Sequence, residues 1–289
     1  MKKINITNGN KVLEFGIRDI KFLLTKDIET LYETIQCIKC ALSKEESEYR
    51  QEHQHKKEIC IDDNKISLKA MKVWQISPTY SVIDAQKLQT NSLFQEYLIS
   101  KIDSSIFQDT KQTINVLVQS FIDELNDDNL QIECININAK QLLKFMQVYA
   151  QQEDIRKDEF DFTYEELLLF QISLIEKINK QHIEFPIVFV IAPILTNKIV
   201  EKLRNCKDCY VIVITNTYLS SMKIEEIYLI EQVLMDFACM EEVYMMLEEQ
   251  YHKRYTMEEL NYMIKIYLQT EYTPKQRSFI NSLNKLSHQ

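Results

Sequence analysis

Glycine is nearly absent from this sequence. The 289 residues include 2 glycines, Gly9 and Gly16, and both lie near the N-terminus. Loops that cradle phosphate groups need several glycines, because their backbone N–H groups must come close to the ligand. No such loop can be written from this sequence, which argues against a Walker-type ATPase, a Rossmann dehydrogenase and a protein kinase.

Long hydrophobic runs are also missing. The longest, residues 186–195, is too short to span a bilayer, and the opening Met1-Lys2-Lys3 leads into polar residues rather than into the apolar core of a signal peptide. The cysteine count, 7, is odd. These features predict a cytoplasmic protein with reduced thiols and no membrane partner.

Positive charge is in the minority. Lys and Arg number 34 against 43 Asp and Glu, so the formal net charge is -9, and 45% of the residues are hydrophobic. The length suffices for one large domain or two modest ones. An acidic balance does not exclude a DNA partner, because affinity for phosphate depends on a local basic surface. It also leaves carboxylates available to hold divalent cations.

Strand patterns dominate the two ends of the first two thirds of the chain. Short strands are predicted at residues 3–6, 11–15, 20–24, 59–61, 66–68 and 71–76. Two continuous β-branched runs, residues 186–191 and 210–215, flank a helix capped by Thr196. Strands that are apolar on both faces and alternate with helices are typical of a buried parallel sheet.

Helical periodicity takes over from residue 91. One helix carries Leu93 and Ile102, a long second one ends in acidic residues after Leu125, and a third is marked by residues 142–149. The residues from 222 onward show a helical pattern and no strand pattern. The predicted fold is therefore α/β: a mixed-sheet head with parallel buried strands, a projecting α-helical leg and an extra helical C-terminal tail. The boundaries are 1–90 and 153–221 for the two parts of the head, 91–152 for the leg and 222–289 for the tail.

The order of these pieces resembles a known family. The string Ile66-Ser67-Leu68-Lys69-Ala70, then Asp84, Asn91-Ser92 opening a helix and the two apolar strands around Leu195-Thr196 follow its pattern. That family is the accessory spacer-acquisition protein of type II-A CRISPR systems, the Csn-two family. The resemblance covers about residues 3–221; the tail and the insert at 45–57 go beyond the usual pattern and put the assembly in question.

The resemblance implies a non-enzymatic protein. It implies a homotetrameric ring that binds double-stranded DNA, preferentially at its ends, through a positively lined hole. It also implies calcium ions that brace the legs. The implied partners are the CRISPR integrase proteins and the effector nuclease.

An acidic segment follows the long leg helix, with carboxylates that suit the oxygen-rich coordination of calcium. Its members are Asp123, Glu124, Asp127, Asp128 and Glu133. The spacing is not that of an EF-hand loop, and a solvated helix C-terminus explains the residues equally well. Both interpretations stay open.

Two C-x-x-C pairs, Cys37/Cys40 and Cys206/Cys209, have a spacing found in zinc sites. The first lies on an apolar helix face and the second beside a buried strand, so buried cysteines acting as small hydrophobes are favoured. His53, His55 and Cys60 lie in a polar segment without a recognisable oxyanion donor, which favours a solvated loop.

Contacts to DNA phosphates come from Lys, Arg and backbone donors. The candidates are Lys101, Lys111, Lys140 and Lys144 on the leg and Lys69, Lys72, Lys198, Lys202 and Arg204 on the head. Lys140 and Lys144 are spaced i, i+4 and fall on one helix face. Each is also explained as an ordinary surface cation, but a ring would gather the same residues from every subunit around one axis.

Two other functions remain open. One is a degenerate nucleotide-binding type of α/β enzyme, such as a hydrolase, although the loops after the candidate strands lack glycine and a nucleophile. The other is a scaffold protein without a nucleic-acid role. The aromatic and Met side chains of the tail suit either a partner surface or packing onto the head, and packing is favoured.

Overall fold

The chain folds into two compact units, Met1–Pro78 with His182–Gln289, and Thr79–Gln181. The computed structural model describes residues 1–8, 11–42, 57–62, 64–65, 72–89, 92–127, 130–133, 136–178, 180, 183, 186–230, 234–252 and 254–269. The predicted leg lies inside the second unit. Within the described residues, no helix has the length and apolar character needed to cross a membrane.

The elements follow one another in a mixed order of strands and helices. The strands are β1 (Lys2–Asn8), β2 (Lys11–Ile17), β3 (Ile20–Leu24), β4 (Lys57–Ile61), β5 (Asn64–Lys65), β6 (Val73–Ile76), β7 (Ala150–Gln152), β8 (Ile155–Lys157), β9 (Ile187–Ile191), β10 (Tyr210–Thr215), β11 (Ile227–Ile230) and β12 (Leu234–Asp236). The helices are α1 (Ile28–Leu42), α2 (Val82–Gln86), α3 (Leu93–Ile102), α4 (Gln108–Leu125), α5 (Ala139–Leu143), α6 (Tyr164–Lys177), α7 (Asn197–Arg204), α8 (Met240–Tyr251) and α9 (Met257–Leu268).

The larger sheet of the first unit has the order β12-β11-β3-β10-β9-β6. Its pairings β6–β9, β9–β10, β10–β3 and β3–β11 are parallel, and β11–β12 is antiparallel. Every residue of β3 and β9 is buried, as expected for strands covered on both faces. The α/β fold and its buried parallel strands are therefore confirmed.

The smaller sheet has the order β2-β1-β4-β5 and confirms the predicted N-terminal hairpin. Ile4 pairs with Phe15 on one side and with Ile61 on the other. These side chains share one core with Phe189 of the larger sheet and Ile38 of α1. The second hairpin strand predicted at residues 66–68 lies outside the described residues.

The tail does not consist of helices alone, so that part of the prediction is wrong. β11 and β12 belong to the larger sheet, and β11 pairs with β3. Without β11, the fully buried β3 would be an open edge with unpaired backbone groups. This requirement cannot be detected in the local sequence, where Met and Tyr also have helical spacing. Tyr228, Phe237 and Tyr267 are buried, in agreement with the favoured packing interpretation.

A buried ion pair fixes the end of β12. Lys21, on β3, is fully buried, and its ammonium group donates to Asp236 and, at 3.1 Å, to the carbonyl of Glu225. The other carboxylate oxygen of Asp236 accepts from the backbone N–H of Gly16 at 2.6 Å. Burial lowers the pKa of Lys21 from the ordinary lysine value, and the nearby Asp236 opposes this shift. The tail is thereby tied to β2 and β3.

The second unit is helical around a small core of its own. Phe94 from α3, Leu167 from α6 and Val82 from α2 meet there, and the rings of Phe162 and Phe170 extend the core. The predicted helices α3 and α4 are confirmed. The capping box at Thr163 of α6 is confirmed as well, because its hydroxyl accepts from the backbone N–H of Glu166 and the carboxylate of Glu166 accepts from Thr163.

The predicted third helix is much shorter than its periodicity suggested. α5 spans five residues, and the chain turns at Lys144 and Phe145, so Tyr149 lies outside it. β7 and β8 then form a hairpin that the charged sequence there did not predict. Its turn uses Glu153 and Asp154 at positive φ, 49° and 63°. The sequence gives no signal for this turn, because glycine is the usual residue at such angles and acidic residues stand here instead.

Candidate functional site

The most distinctive concave surface of the second unit is a groove of about 850 Å³. α2, α5 and the segment leading into β7 supply its walls. Three lysines line it, Lys87, Lys140 and Lys144, and no Asp or Glu occurs among the described lining residues. In a protein with a net charge of -9, such a surface is a local concentration of positive charge.

Two of these lysines have no ion pair with any described residue. Lys140 and Lys144 are both exposed and lie one helical turn apart. Lys87 is partly neutralised, because its ammonium group lies 2.7 Å from Asp84. The hydrogen bond from Lys87 lowers the pKa of the Asp84 carboxyl below its ordinary value. Lys140 and Lys144 therefore supply most of the uncompensated charge.

Two amide side chains of the groove, those of Asn138 and Gln141, have their oxygens engaged in hydrogen bonds. At the start of α5, the side-chain oxygen of Asn138 accepts from the N–H of Gln141 at 3.0 Å, and that of Gln141 accepts from the N–H of Asn138 at 2.8 Å. A backbone N–H can only donate, so the capping box takes up both amide oxygens. Within the described residues the two NH₂ groups have no partner. Donors beside lysines favour an anion such as phosphate.

A fixed aromatic ring stands in the groove wall. Tyr149 lines the groove, and its hydroxyl donates to the side-chain oxygen of Gln147 at 3.0 Å. The guanidinium of Arg156, on β8, lies 4.0 Å from the centre of the ring. This cation–π contact stabilises the position of the ring and places a positive charge next to a residue that lines the groove.

A second, smaller depression of about 560 Å³ shares Asn138 with the groove. It is lined by residues of α4, among them Lys111 and Asn115, and by the segment before α5. Its described lining contains no carboxylate, although Lys111 pairs with Asp103 at 2.8 Å. Because they share Asn138, the two depressions adjoin one another on the second unit.

The structure brings together only part of the predicted basic set. Lys140 and Lys144 line one groove and Lys111 the adjoining depression, whereas Lys101 lies on α3 near the ring of Tyr97. Within the first unit, Lys198 and Lys202 lie on α7 and Lys72 precedes β6. Arg204 is engaged internally, donating to the carbonyl of Ser221 at 2.9 Å and to Glu226 at 2.7 Å. Lys69 lies outside the described residues.

The acidic segment does not gather into a metal site within the described residues. Asp123 accepts from the side chain of Gln119 at 2.7 Å, and Asp127 closes a turn by accepting from the N–H of Leu130 at 2.8 Å. Glu124 and Glu133 are exposed, and no group of three potential ligands was found there. Asp128 is outside the described residues. The calcium site therefore stays a prediction, and the four described carboxylates do not form it by themselves.

The cysteine pairs are part of the core of the first unit rather than a recognisable ligand set. Cys37 and both members of the second pair are buried, and Cys40 is half-buried. The thiol of Cys209 donates to the carbonyl of Cys206 at 3.5 Å. Among the described residues these thiols join no metal-binding group.

At the carboxyl edge of the parallel sheet, where α/β enzymes bind their ligands, several side chains make internal contacts. The hydroxyls of Thr215 and Thr217 both donate to the carbonyl of Pro193, at 3.1 and 2.8 Å. Lys26 donates to the carbonyl of Tyr267 at 2.7 Å, at the end of α9. These contacts stabilise the fold, and Lys26 and Thr217 also line a depression of about 450 Å³ at this edge.

Sequence reasoning found two of the three lysines that line the groove and missed its other functional groups. The i, i+4 spacing identified Lys140 and Lys144. Lys87 and Arg156 had no such signal, because α2 and the β7–β8 hairpin bring them close from distant positions. Tyr149 was assigned to a helix face, although its position next to the basic α5 was visible in the sequence.

The fold is similar to that of a solved protein. The crystal structure of Stu0660 of Streptococcus thermophilus matches 99% of this chain and 94% of that chain, with a TM-score of 0.68 and 14% sequence identity. At this identity the likeness establishes the α/β fold and nothing more. No protein-family model matches the sequence, and no curated protein matches it either.

Proposed function

We propose that this chain is a non-enzymatic cytoplasmic protein that binds linear double-stranded DNA as a homotetrameric ring and acts in CRISPR spacer acquisition. The observation that carries the proposal is the groove whose described lining contains Lys140 and Lys144 and no carboxylate. The resemblance to the Csn-two family supplies the biological setting and the CRISPR integrase proteins and effector nuclease as partners.

Binding through phosphates should be independent of sequence and strongly dependent on salt. Each phosphate that a cation neutralises releases counterions, so the logarithm of the affinity falls linearly with the logarithm of the salt concentration. We expect the protein to retain linear duplex in a gel shift at low salt with calcium, and to release it progressively as salt is added. The measurement is a titration with one duplex at several salt concentrations.

The control is the same DNA as a closed circle. A protein ring that DNA can enter only by a free DNA end retains the linear form and not the closed one. If linear duplex is not retained at low salt, the proposed function is wrong. If a pure sample hydrolyses nucleoside triphosphates or DNA, the alternative function of an α/β enzyme replaces the proposed one.

Assembly is supported by an apolar surface on α4. This helix has 18 residues and none of them is buried, although Val116, Leu117 and Phe121 are apolar and 67%, 65% and 62% exposed. Side chains exposed in this way on one element are typical of an interface. A second copy of the chain is the occupant that the proposed ring requires.

The variant Leu117→Glu is therefore expected to lower the mass measured by light scattering from that of a tetramer to that of a smaller species. A charge buried at an interface without a partner is strongly unfavourable. Gln112→Glu is the matched control, because Gln112 is exposed on the same helix and lies five residues before Leu117, on a different face. If both variants keep the wild-type mass, α4 is not at the interface.

Calcium is the remaining component of the proposal. Light scattering with calcium and after chelation tests it, and the assembly should lose mass or stability without the ion. Because the four described carboxylates do not converge in one chain, Asp128 or a second copy must complete the ligand set. A sample whose mass and melting temperature do not respond to chelation contradicts the calcium prediction.

A further inference from the structure

The groove of the second unit contains a feature that binding to duplex phosphates does not require. Tyr149 lines it and is 45% exposed. Arg156 covers one face of the ring at 4.0 Å, and Gln147 holds the hydroxyl at 3.0 Å. The exposed part of the ring therefore belongs to its other face and its edges, and the ring is held in place before any ligand arrives.

A second aromatic side chain lies next to the groove without internal packing. Phe145 is 85% exposed and stands between two residues that line the groove, Lys144 and Met146. Its backbone is fixed, because its N–H donates to the carbonyl of Leu142 at 3.1 Å and the N–H of Met146 donates to Leu143 at 3.1 Å. An aromatic ring on a fixed turn beside cations matches the stacking platforms that bind single-stranded nucleic acid.

The interior of a DNA duplex cannot use these rings. Its bases are stacked on one another, so an aromatic side chain reaches a base face only where a base is unpaired. The volume of the groove, about 850 Å³, also has room for one or a few small planar groups beside Lys140 and Lys144.

The amide groups point to the same ligand. Asn138 and Gln141 line the groove, and their side-chain oxygens are engaged by the capping box, so their NH₂ groups are the parts that remain for a ligand. An unpaired base offers carbonyl oxygens and ring nitrogens as acceptors.

We propose that the groove binds an unpaired single-stranded overhang at the end of a DNA duplex. A backbone phosphate lies against Lys140 and Lys144, and a base stacks on the exposed face of Tyr149. This inference rests on the proposed function, since it requires a DNA end to reach the second unit, and it specifies which kind of end the groove takes.

The test compares one short duplex in three forms: blunt, with a 3′ oligothymidine overhang and with a 5′ oligothymidine overhang. Binding is followed by fluorescence anisotropy with the wild-type protein. We expect at least one overhang form to bind at least about fivefold more tightly than the blunt form, which is the lower end of the effect of stacking one base on an aromatic ring. If both overhang forms bind as the blunt one does, the inference is wrong and the proposed function stands. If none of the three binds, the proposed function fails as well.

Variants of Tyr149 test whether its ring causes the preference for overhang over blunt DNA. Tyr149→Ala is expected to reduce the ratio of overhang to blunt affinity to about one, whereas Tyr149→Phe keeps the ring and should keep the ratio. Circular dichroism and the melting temperature check that both variants fold. A ratio that survives in Tyr149→Ala removes Tyr149 from the site and overturns the inference.

A fluorescence measurement on the wild-type protein needs no variant, so its result does not depend on whether a variant folds. The fluorescent base 2-aminopurine is placed either in the overhang or inside the duplex. Stacking on a tyrosine changes its emission, so a change is expected for the overhang position on binding and not for the interior position. Equal responses at the two positions contradict the inference.

Discussion

The double variant Lys140→Glu, Lys144→Glu is expected to bind linear duplex DNA at least about tenfold more weakly than the wild type at low salt, and to show a salt slope smaller by about 2. The two lysines lie in a groove without a described carboxylate and have no ion pair among the described residues. Their charge is therefore available to phosphate, and its reversal replaces attraction by repulsion. A titration by fluorescence anisotropy at several salt concentrations measures both quantities.

The matched control is Lys39→Glu with Lys265→Glu. These lysines are also exposed, and each lies in the last turn of a helix, α1 and α9. The two double variants have the same net charge, so only the position of the change differs. If both lose the same affinity, overall charge rather than the groove controls binding and the assignment of Lys140 and Lys144 is wrong.

The second large effect concerns stability. Asp236→Ala is expected to lower the free energy of unfolding by about 3–5 kcal/mol, because it leaves the buried ammonium group of Lys21 without its counter-ion. Two backbone N–H groups, of Gly16 and Ala238, lose their acceptor at the same time. Urea denaturation followed by the fluorescence of Trp74 measures the change. This residue is the one tryptophan of the sequence, and it is buried in the same sheet on β6.

Two further variants separate the ion pair from a general effect of mutation. Glu248→Ala removes the partner of Arg254 in an exposed pair, and we expect a much smaller change there. Lys21→Met combined with Asp236→Asn removes both charges and should recover a large part of the loss. A loss below about 1 kcal/mol in Asp236→Ala would show that the pair does not anchor the tail.

The loss of unfolding free energy in Asp236→Ala is expected to depend on pH. Burial already lowers the pKa of Lys21 in the folded protein, and removal of Asp236 takes away a group that opposes this shift. Below the ordinary lysine value of 10.5 the unfolded chain then binds more protons at this site than the folded one, so the unfolding free energy rises with pH. The deficit of Asp236→Ala should therefore be largest near neutral pH and should shrink as the pH approaches 10.5.

Only part of the candidate site could be predicted from local sequence patterns. The i, i+4 spacing of Lys140 and Lys144 was visible, since helix geometry alone places such residues side by side. The capping box at Asn138 and Gln141 was overlooked, although it turns two amides into donors. The cation–π contact of Arg156 with Tyr149 could not be predicted, because it depends on a hairpin whose turn lacks glycine.

Elements with strong local patterns could be predicted from the sequence. Apolar runs predicted β9 and β10 as buried parallel strands, and the side chains of Thr163 and Thr196 marked the starts of α6 and α7, because these signals depend on neighbours along the chain. The place of β11 beside β3 follows only from the folded chain. The same is true of the groove that Lys87 shares with Lys140 and Lys144, whose described lining has no carboxylate. Both outcomes depend on hydrogen bonds and packing between segments far apart in sequence, which no local pattern records.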